Sequence, residues 1–247
     1  AVALKLMKTF WPGPLTIILP KSDLIPGVVT SDLDTVAVRM PRHETALHLI
    51  RAAGRPLAAP SANLFGRTSP TTARAAWEEL GKKVDFILDG GPAAVGVEST
   101  VVKIEKNGLV VLRPGGVTLE ELRKAAPVRK ADSKKRKTIE SPGSLDSHYA
   151  PRTPLFLMDV PSAGFDKKRR VGLLAFGPKR NDFDFQAVQT LSASGDLYEA
   201  ASNLFEAIRK LDKMKLDLIV AEPVPETGIG LAIMDRLRRA SRGNKLK

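Results

Sequence analysis

Apolar positions along this 247-residue chain follow two rhythms, separated by a charged break. In the first, residues 1–124, short β-branched runs alternate with helical periodicity. Residues 1–8 predict a helix, while TIILP (16–20) and TVAVRM (35–40) predict strands. Glu44–Ala53 sets Ala46, Leu47, Leu49, Ile50 and Ala53 on one helical face. PLAAPSAN (56–63) predicts a buried strand running into a loop. Thr71 is expected to cap a helix ending at Leu80, with Ala73, Ala76, Trp77 and Leu80 on one side. FILDGG (86–91) predicts a strand closed by two glycines, and 99–116 a hairpin turning at Asn107-Gly108. Thr118 caps a short helix over 119–125, with Glu121 at capping-box spacing.

The break covers 125–152. From Arg123 to Lys137 there are eight basic residues (Arg123, Lys124, Arg129, Lys130, Lys134, Lys135, Arg136, Lys137) and one acid, Asp132. So charged a stretch has too little apolar surface to bury, which predicts a basic linker ending in SPGSLDSHYAP (141–151). Beyond it the second rhythm starts. PLFLMDV (154–160), RVGLLAF (170–176) and LDLIVAE (216–222) are continuous apolar strands suited to a parallel sheet covered on both faces. Residues 197–211 form an amphipathic helix with Ala200, Ala201, Leu204, Ile208 and Leu211 inward, and 230–240 a closing helix. The fold class is therefore α/β, with a first domain over 1–124, a linker over 125–152, and a small doubly wound parallel α/β domain over 153–247.

Composition narrows the function. No apolar run is long enough to span a bilayer and no leader pattern is visible, so a cytoplasmic protein without membrane contact is expected. Cysteine is absent, which excludes disulfides and thiol catalysis, and the three histidines (His43, His48, His148) are too scattered for a zinc set. The net charge of +12 favours a polyanionic partner, either nucleotide or RNA, but equally suits a plain basic protein. Residue 1 is an alanine inside a helical pattern, where a start codon would give methionine, so the chain reads as a fragment.

The candidate chemistry is that of an anion site. Ser61 and Asn63 lie at the end of a predicted strand, where hydroxyl and amide groups donate to phosphate or sugar, or form an ordinary turn. Ser69, Thr71 and Thr72 start a helix, either capping it or adding its free N–H groups to an anion site. Arg39 in an apolar strand needs a partner: a ligand carboxylate, Glu98, or water. Arg113 ends a strand before the Pro114-Gly115-Gly116 turn. Gly228-Ile229-Gly230 is read as a turn, and no catalytic triad, P-loop or paired catalytic acids emerge.

Taken together, FWPGPLT (10–16), DTVAVRMP (34–41), PLAAPSAN (56–63), RTSPTTA (67–73), ILDGG (87–91), GVESTVV (96–102) and LRPGG (112–116) resemble YrdC-like domains in order and spacing. HYAP (148–151), LYEAASNLFEAIRKLD (197–212) and GIGLAIMDRLRRAS (228–241) resemble the linker and second domain of the long, two-domain threonylcarbamoyl-adenylate synthases of that family. The resemblance implies a twisted, mostly β, YrdC-like α/β domain followed by a Rossmann-like one. It also implies a nucleotidyltransferase that turns ATP, L-threonine and bicarbonate into threonylcarbamoyl-adenylate and pyrophosphate for tRNA modification, passing its product to threonylcarbamoyl-transferase machinery. By that resemblance Arg39, Ser99 and the backbone near Ala59 would bind threonine, and Thr35, Ser61, Asn63, Ser69 and Arg113 would bind ATP. His148 and Tyr149 would close as a lid or serve as an anchor. Mg²⁺ would travel with ATP, no tightly bound organic cofactor is implied, and catalysis would work by positioning without a protein nucleophile.

Two departures accompany the likeness. The family's opening stretch, a Pro-Thr-Glu-Thr-Val-Tyr-Gly-like strand and a Lys-x-Arg motif, would precede residue 1, so this piece alone is expected to be inactive. Asp146 stands where some members carry an aromatic residue. The alternative is an RNA-binding YrdC-like module without adenylation activity, suggested by the +12 charge and the basic linker.

Overall fold

The computed structural model describes residues 2–131, 149–158, 168–178 and 184–242. These pack as two compact units. The first takes the described chain up to Pro60 and again from Glu98 to Ala131; the second takes Ser61–Val97 and the described chain from Tyr149. The segment 61–97, which the sequence pattern groups with the first domain, thus packs with the second region.

The first unit is built on a mixed five-stranded sheet. Its elements are α1 (Val2–Phe10), β1 (Leu15–Pro20), α2 (Gly27–Thr30), β2 (Thr35–Val38), α3 (Glu44–Ala53), β3 (Thr100–Glu105), β4 (Gly108–Arg113), α5 (Leu119–Arg123) and β5 (Val128–Lys130). The sheet runs β2-β1-β3-β4-β5. β1 is antiparallel to β2 and parallel to β3, β3 is antiparallel to β4, and β4 is parallel to β5. Ile18, Val101, Val110 and Leu112 pack together on it. The hairpin forms as the pattern predicts, except that Gly108 already belongs to β4, opposite Glu105, and residues 106–107 make the turn. Thr118 and Glu121 complete the expected capping box. The basic stretch opens as an ordered strand: Val128–Lys130 pairs with β4 along the sheet edge. Residues 132–148, with Asp146 and His148, lie outside the described residues.

The second unit contains α4 (Ala73–Leu80), β6 (Leu155–Leu157), β7 (Val171–Ala175), β8 (Ala187–Thr190), α6 (Leu197–Asp212), β9 (Leu218–Ala221) and α7 (Gly230–Ser241). Its sheet is wholly parallel, in the order β6-β9-β7-β8. Every residue of β7 and β9 is buried, which explains why these strands read as unbroken apolar runs. α6 and α7 share one core with Leu155, Leu174, Ile219 and Ala221. Val171, Leu218 and Val220 form a separate cluster with Phe156, Met158 and Phe185. The parallel α/β second domain forms as expected.

Several other expectations are corrected. PLAAPSAN forms no strand: 56–61 are exposed, because no described strand pairs with this proline-flanked stretch. FILDGG is likewise unpaired, leaving Phe86 93% exposed. α4 is capped by Thr72 rather than Thr71, and it buries Ala75 while Trp77 is largely exposed. α3 forms where predicted, with His43 accepting from Ala46 N as its cap, yet it buries no side chain. β8 was not anticipated.

Asp217 ties the start of β9 to the chain before β7, accepting from Arg170 N at 2.7 Å and from Arg170 Nη2 at 2.9 Å. The Arg170 hydrogen bonds hold its carboxyl below the ordinary carboxylate range. A depressed carboxylate stabilises the fold above its unfolded pKa, near 4, and loses that contribution as pH falls through the lower folded value. Thermal unfolding from pH 7 to 3 should therefore show a decline on acidification that is shallower in Asp217→Asn; identical profiles would contradict the assignment.

Candidate functional site

In the first unit a small polar cluster forms where β1, β3 and β4 meet. Ser99, 5% exposed, shares a 2.7 Å hydrogen bond between its Oγ and Thr16 Oγ1. Arg113 donates to the Ser99 carbonyl through Nε (3.2 Å) and Nη2 (3.0 Å), and from Nη2 to Ser99 Oγ (3.2 Å). A backbone lock sets this geometry. Gly116 N donates to Glu98 O at 3.2 Å, and Val117 N donates to Thr100 Oγ1 at 3.0 Å. Gly115 lies so close that a Cβ there would stand 2.2 Å from Glu98 O and 2.4 Å from both Ser99 C and Thr100 N.

Arg39 sits just past the end of β2 rather than inside the strand. Gly13 N, from the Trp-Pro-Gly-Pro turn, donates to Met40 O at 2.8 Å, and Arg42 Nε donates to Pro12 O at 3.2 Å, so the turn fixes the backbone that carries Arg39. The residue is exposed, and the protein packed around its guanidinium lowers the pKa from the ordinary arginine value. It remains a cation at any working pH. Among the described residues it has no hydrogen bond or ion pair, so Glu98 is not its partner. Thr35 opens β2 opposite Pro20, and Ala59 lies on the exposed 56–60 stretch.

The remaining candidates belong to the second unit. Ser61 is exposed and Ser69 is 7% exposed. Asn63 donates through Nδ2 to Leu64 O (2.8 Å) and Arg67 O (3.2 Å), while its Oδ1 is buried without a hydrogen bond. The amide nitrogen taken as a phosphate donor is therefore already used. What Asn63 offers a ligand is an acceptor, which suits a hydroxyl or amino group. Thr72 Oγ1 is likewise occupied, accepting from Ala75 N at 3.1 Å.

Tyr149 is 1% exposed and held at φ +67°. Its ring stacks on Phe205 with centroids 5.5 Å apart and lies 5.4 Å from the Arg236 guanidinium. Thr68 Oγ1 donates to its carbonyl at 3.3 Å, and Ala150 N donates to Gly66 O at 2.9 Å. This is the geometry of an anchor.

Two family models match the chain: Sua5_yciO_yrdC, described as "Telomere recombination", over residues 1–115, and "Threonylcarbamoyl-AMP synthase, C-terminal domain" over 117–242. The chain belongs to the threonylcarbamoyl-AMP synthase family. The synthase of Pyrococcus abyssi is 42% identical over 252 residues, covering 96% of this chain and 72% of that protein. The Bacillus subtilis synthase is 41% identical over 254 residues, covering 98% and 73%. The crystal structure of P. abyssi Sua5 complexed with L-threonine matches with a TM-score of 0.86 and 41% identity, over 97% of this chain and 73% of that one. The fold is thus that of the synthases, and the family is one of nucleotidyltransferases acting in tRNA modification.

The lock around Gly115 yields a direct test. Gly115→Ala pushes a Cβ into three backbone atoms that have no flexible end to yield, and should cost about 1–3 kcal/mol or more in denaturant unfolding. Gly177→Ala, where nothing lies within 4 Å, should stay within about 0.5 kcal/mol of the parent. Equal stabilities would contradict the lock.

Proposed function

We propose that this chain acts in the synthesis of threonylcarbamoyl-adenylate, with release of pyrophosphate, from L-threonine, bicarbonate and ATP, and that ATP arrives as its Mg²⁺ complex. The observation that carries this reading is the Arg39 guanidinium, partly desolvated and without a partner among the described residues. Its planar fork matches a carboxylate in two-point contact. The L-threonine bound in the structure of the P. abyssi relative supports an amino acid as the owner of that carboxylate.

The chemistry asks little of the protein beyond placement. The threonine amine adds to the carbon of bicarbonate-derived CO₂ and loses a proton, forming the carbamate. A carbamate oxygen then attacks the α-phosphorus, and the bond to the β-phosphate oxygen breaks to release pyrophosphate. In this scheme Arg39, Ser99 and the backbone near Ala59 hold threonine. Arg113, Thr35, Ser61 and Ser69 hold the nucleotide, and Asn63 Oδ1 meets a donor such as a ribose hydroxyl or the adenine amino group. Bringing the reactants together and neutralising phosphate charge supply the acceleration. The +12 charge suits a polyanionic substrate. The product would pass to a transferase that modifies tRNA. Among the described residues no helix is long and apolar enough to cross a membrane, and we place the reaction in the cytoplasm.

Pyrophosphate release by the full-length gene product should require both threonine and bicarbonate; release at background level with all substrates present would sink the proposal. Arg39→Ala should weaken threonine binding by about 10- to 100-fold, the worth of a charged hydrogen bond, while Mg·ATP affinity changes little. Calorimetric titration showing unchanged threonine affinity would remove Arg39 from the role.

A further inference from the structure

We propose that α6 is a positioning helix for the nucleotide-binding loop around Ser69, and that Arg209 is its principal positioning residue. The proposal rests on the reading above in which Ser69 contacts ATP.

Ala201, Phe205, Arg209 and Lys213 recur every four residues along α6 and its C-cap, and so lie along one ridge. Each meets the segment that carries or supports the candidate loop. The Ala201 carbonyl and Ser202 backbone approach Gly96 so closely that a Cβ on the glycine would lie 2.3 Å from Ala201 O and 2.4 Å from Ser202 Cα. Phe205 stacks on Tyr149, whose carbonyl accepts from Thr68 Oγ1. Arg209 Nη1 pairs with Glu79 Oε1 at 3.0 Å, and its Nη2 donates to the Thr68 carbonyl. Lys213 Nζ stands 2.6 Å from Glu78 Oε2.

Thr68 is the focus of these contacts. Its carbonyl is held by Arg209 and its hydroxyl by the Tyr149 backbone, one residue before Ser69. Flanking this, Arg67 forms a parallel bridge with Ala150. The Arg209 and Glu79 side chains are only 9% and 13% exposed, so the pair escapes most screening by water and holds a defined geometry. Arg209 Nε is buried with no hydrogen bond, an uncompensated desolvation that an apolar side chain would avoid. An arginine here serves orientation better than it serves packing.

The test is calorimetric titration of the full-length gene product with Mg·ATP and, separately, with L-threonine, in the parent, Arg209→Met, Arg209→Lys and Glu79→Gln. Arg209→Met should weaken Mg·ATP on the order of tenfold or more, through a loop displaced by a fraction of an ångström, with threonine affinity held within about twofold. Arg209→Lys, which keeps the charge but not the fork, should recover part of the loss. Unchanged Mg·ATP affinity, or equal weakening of both ligands, overturns the proposal. Should Arg209→Met fail to fold by circular dichroism, Arg209→Lys and Glu79→Gln decide by the same ratio. A parent protein that binds Mg·ATP yet releases no pyrophosphate would defeat the synthase reading and leave this comparison standing.

Discussion

The candidate site in the first unit depends on one interlock, between Glu98–Thr100 at the start of β3 and the turn after β4. Thr100 is fully buried, and its hydroxyl works in both directions: it donates to Val117 O at 2.5 Å and accepts from Val117 N at 3.0 Å. Its own N–H donates to Pro14 O at 2.9 Å, which brings β1 into the same arrangement. A buried hydroxyl satisfied as donor and acceptor costs about 1–3 kcal/mol to disturb, because the groups left behind have no water to turn to. The consequence is geometric. With Thr100 fixed on both sides, Ser99 must point to the opposite face of the strand, where Thr16 and Arg113 meet it. The side chains that would touch substrate are short or forked, so their placement follows that of the backbone.

The second unit achieves the same end by other means. Its loop around Ser69 has little regular structure of its own and is oriented through side chains borrowed from α6 and from Tyr149. One region thus relies on backbone packed against backbone, with glycine where a Cβ would intrude. The other relies on a buried ion pair and an aromatic stack, which fix direction at some cost in desolvation.

Elements that carry their own instructions were legible in the sequence. The Asn107-Gly108 hairpin, the Thr118/Glu121 capping box and the apolar stripe of α6 each close locally, and each forms. PLAAPSAN and FILDGG failed for the opposite reason: a strand needs a neighbour, and apolar content alone does not say whether one is present. With α4 the ambiguity was a single residue. Thr71 and Thr72 are both competent caps, and the structure uses Thr72; the buried face is centred on Ala75, with Trp77 two positions and about 200° further round the helix. At the site, the types of Arg39, Ser99 and Arg113 were readable, but the free atom of Asn63 was not, because it follows from where the Leu64 and Arg67 carbonyls fall. Arg209 and Glu79 were missed outright. The available signal was an arginine one position from the apolar stripe of α6, at Ile208.

The discontinuity of the second unit bears on how the protein is made. Residues 61–97 leave the ribosome about a hundred residues before α6 begins at Leu197, an interval of roughly 5–20 s at ordinary elongation rates. For that time Thr68 and Glu79 have no helix to bind. The four-stranded sheet is also incomplete, since β9 must insert between β6 and β7. Order of appearance and order of assembly therefore diverge, and a loop synthesised early takes its final form only after α6 has been released.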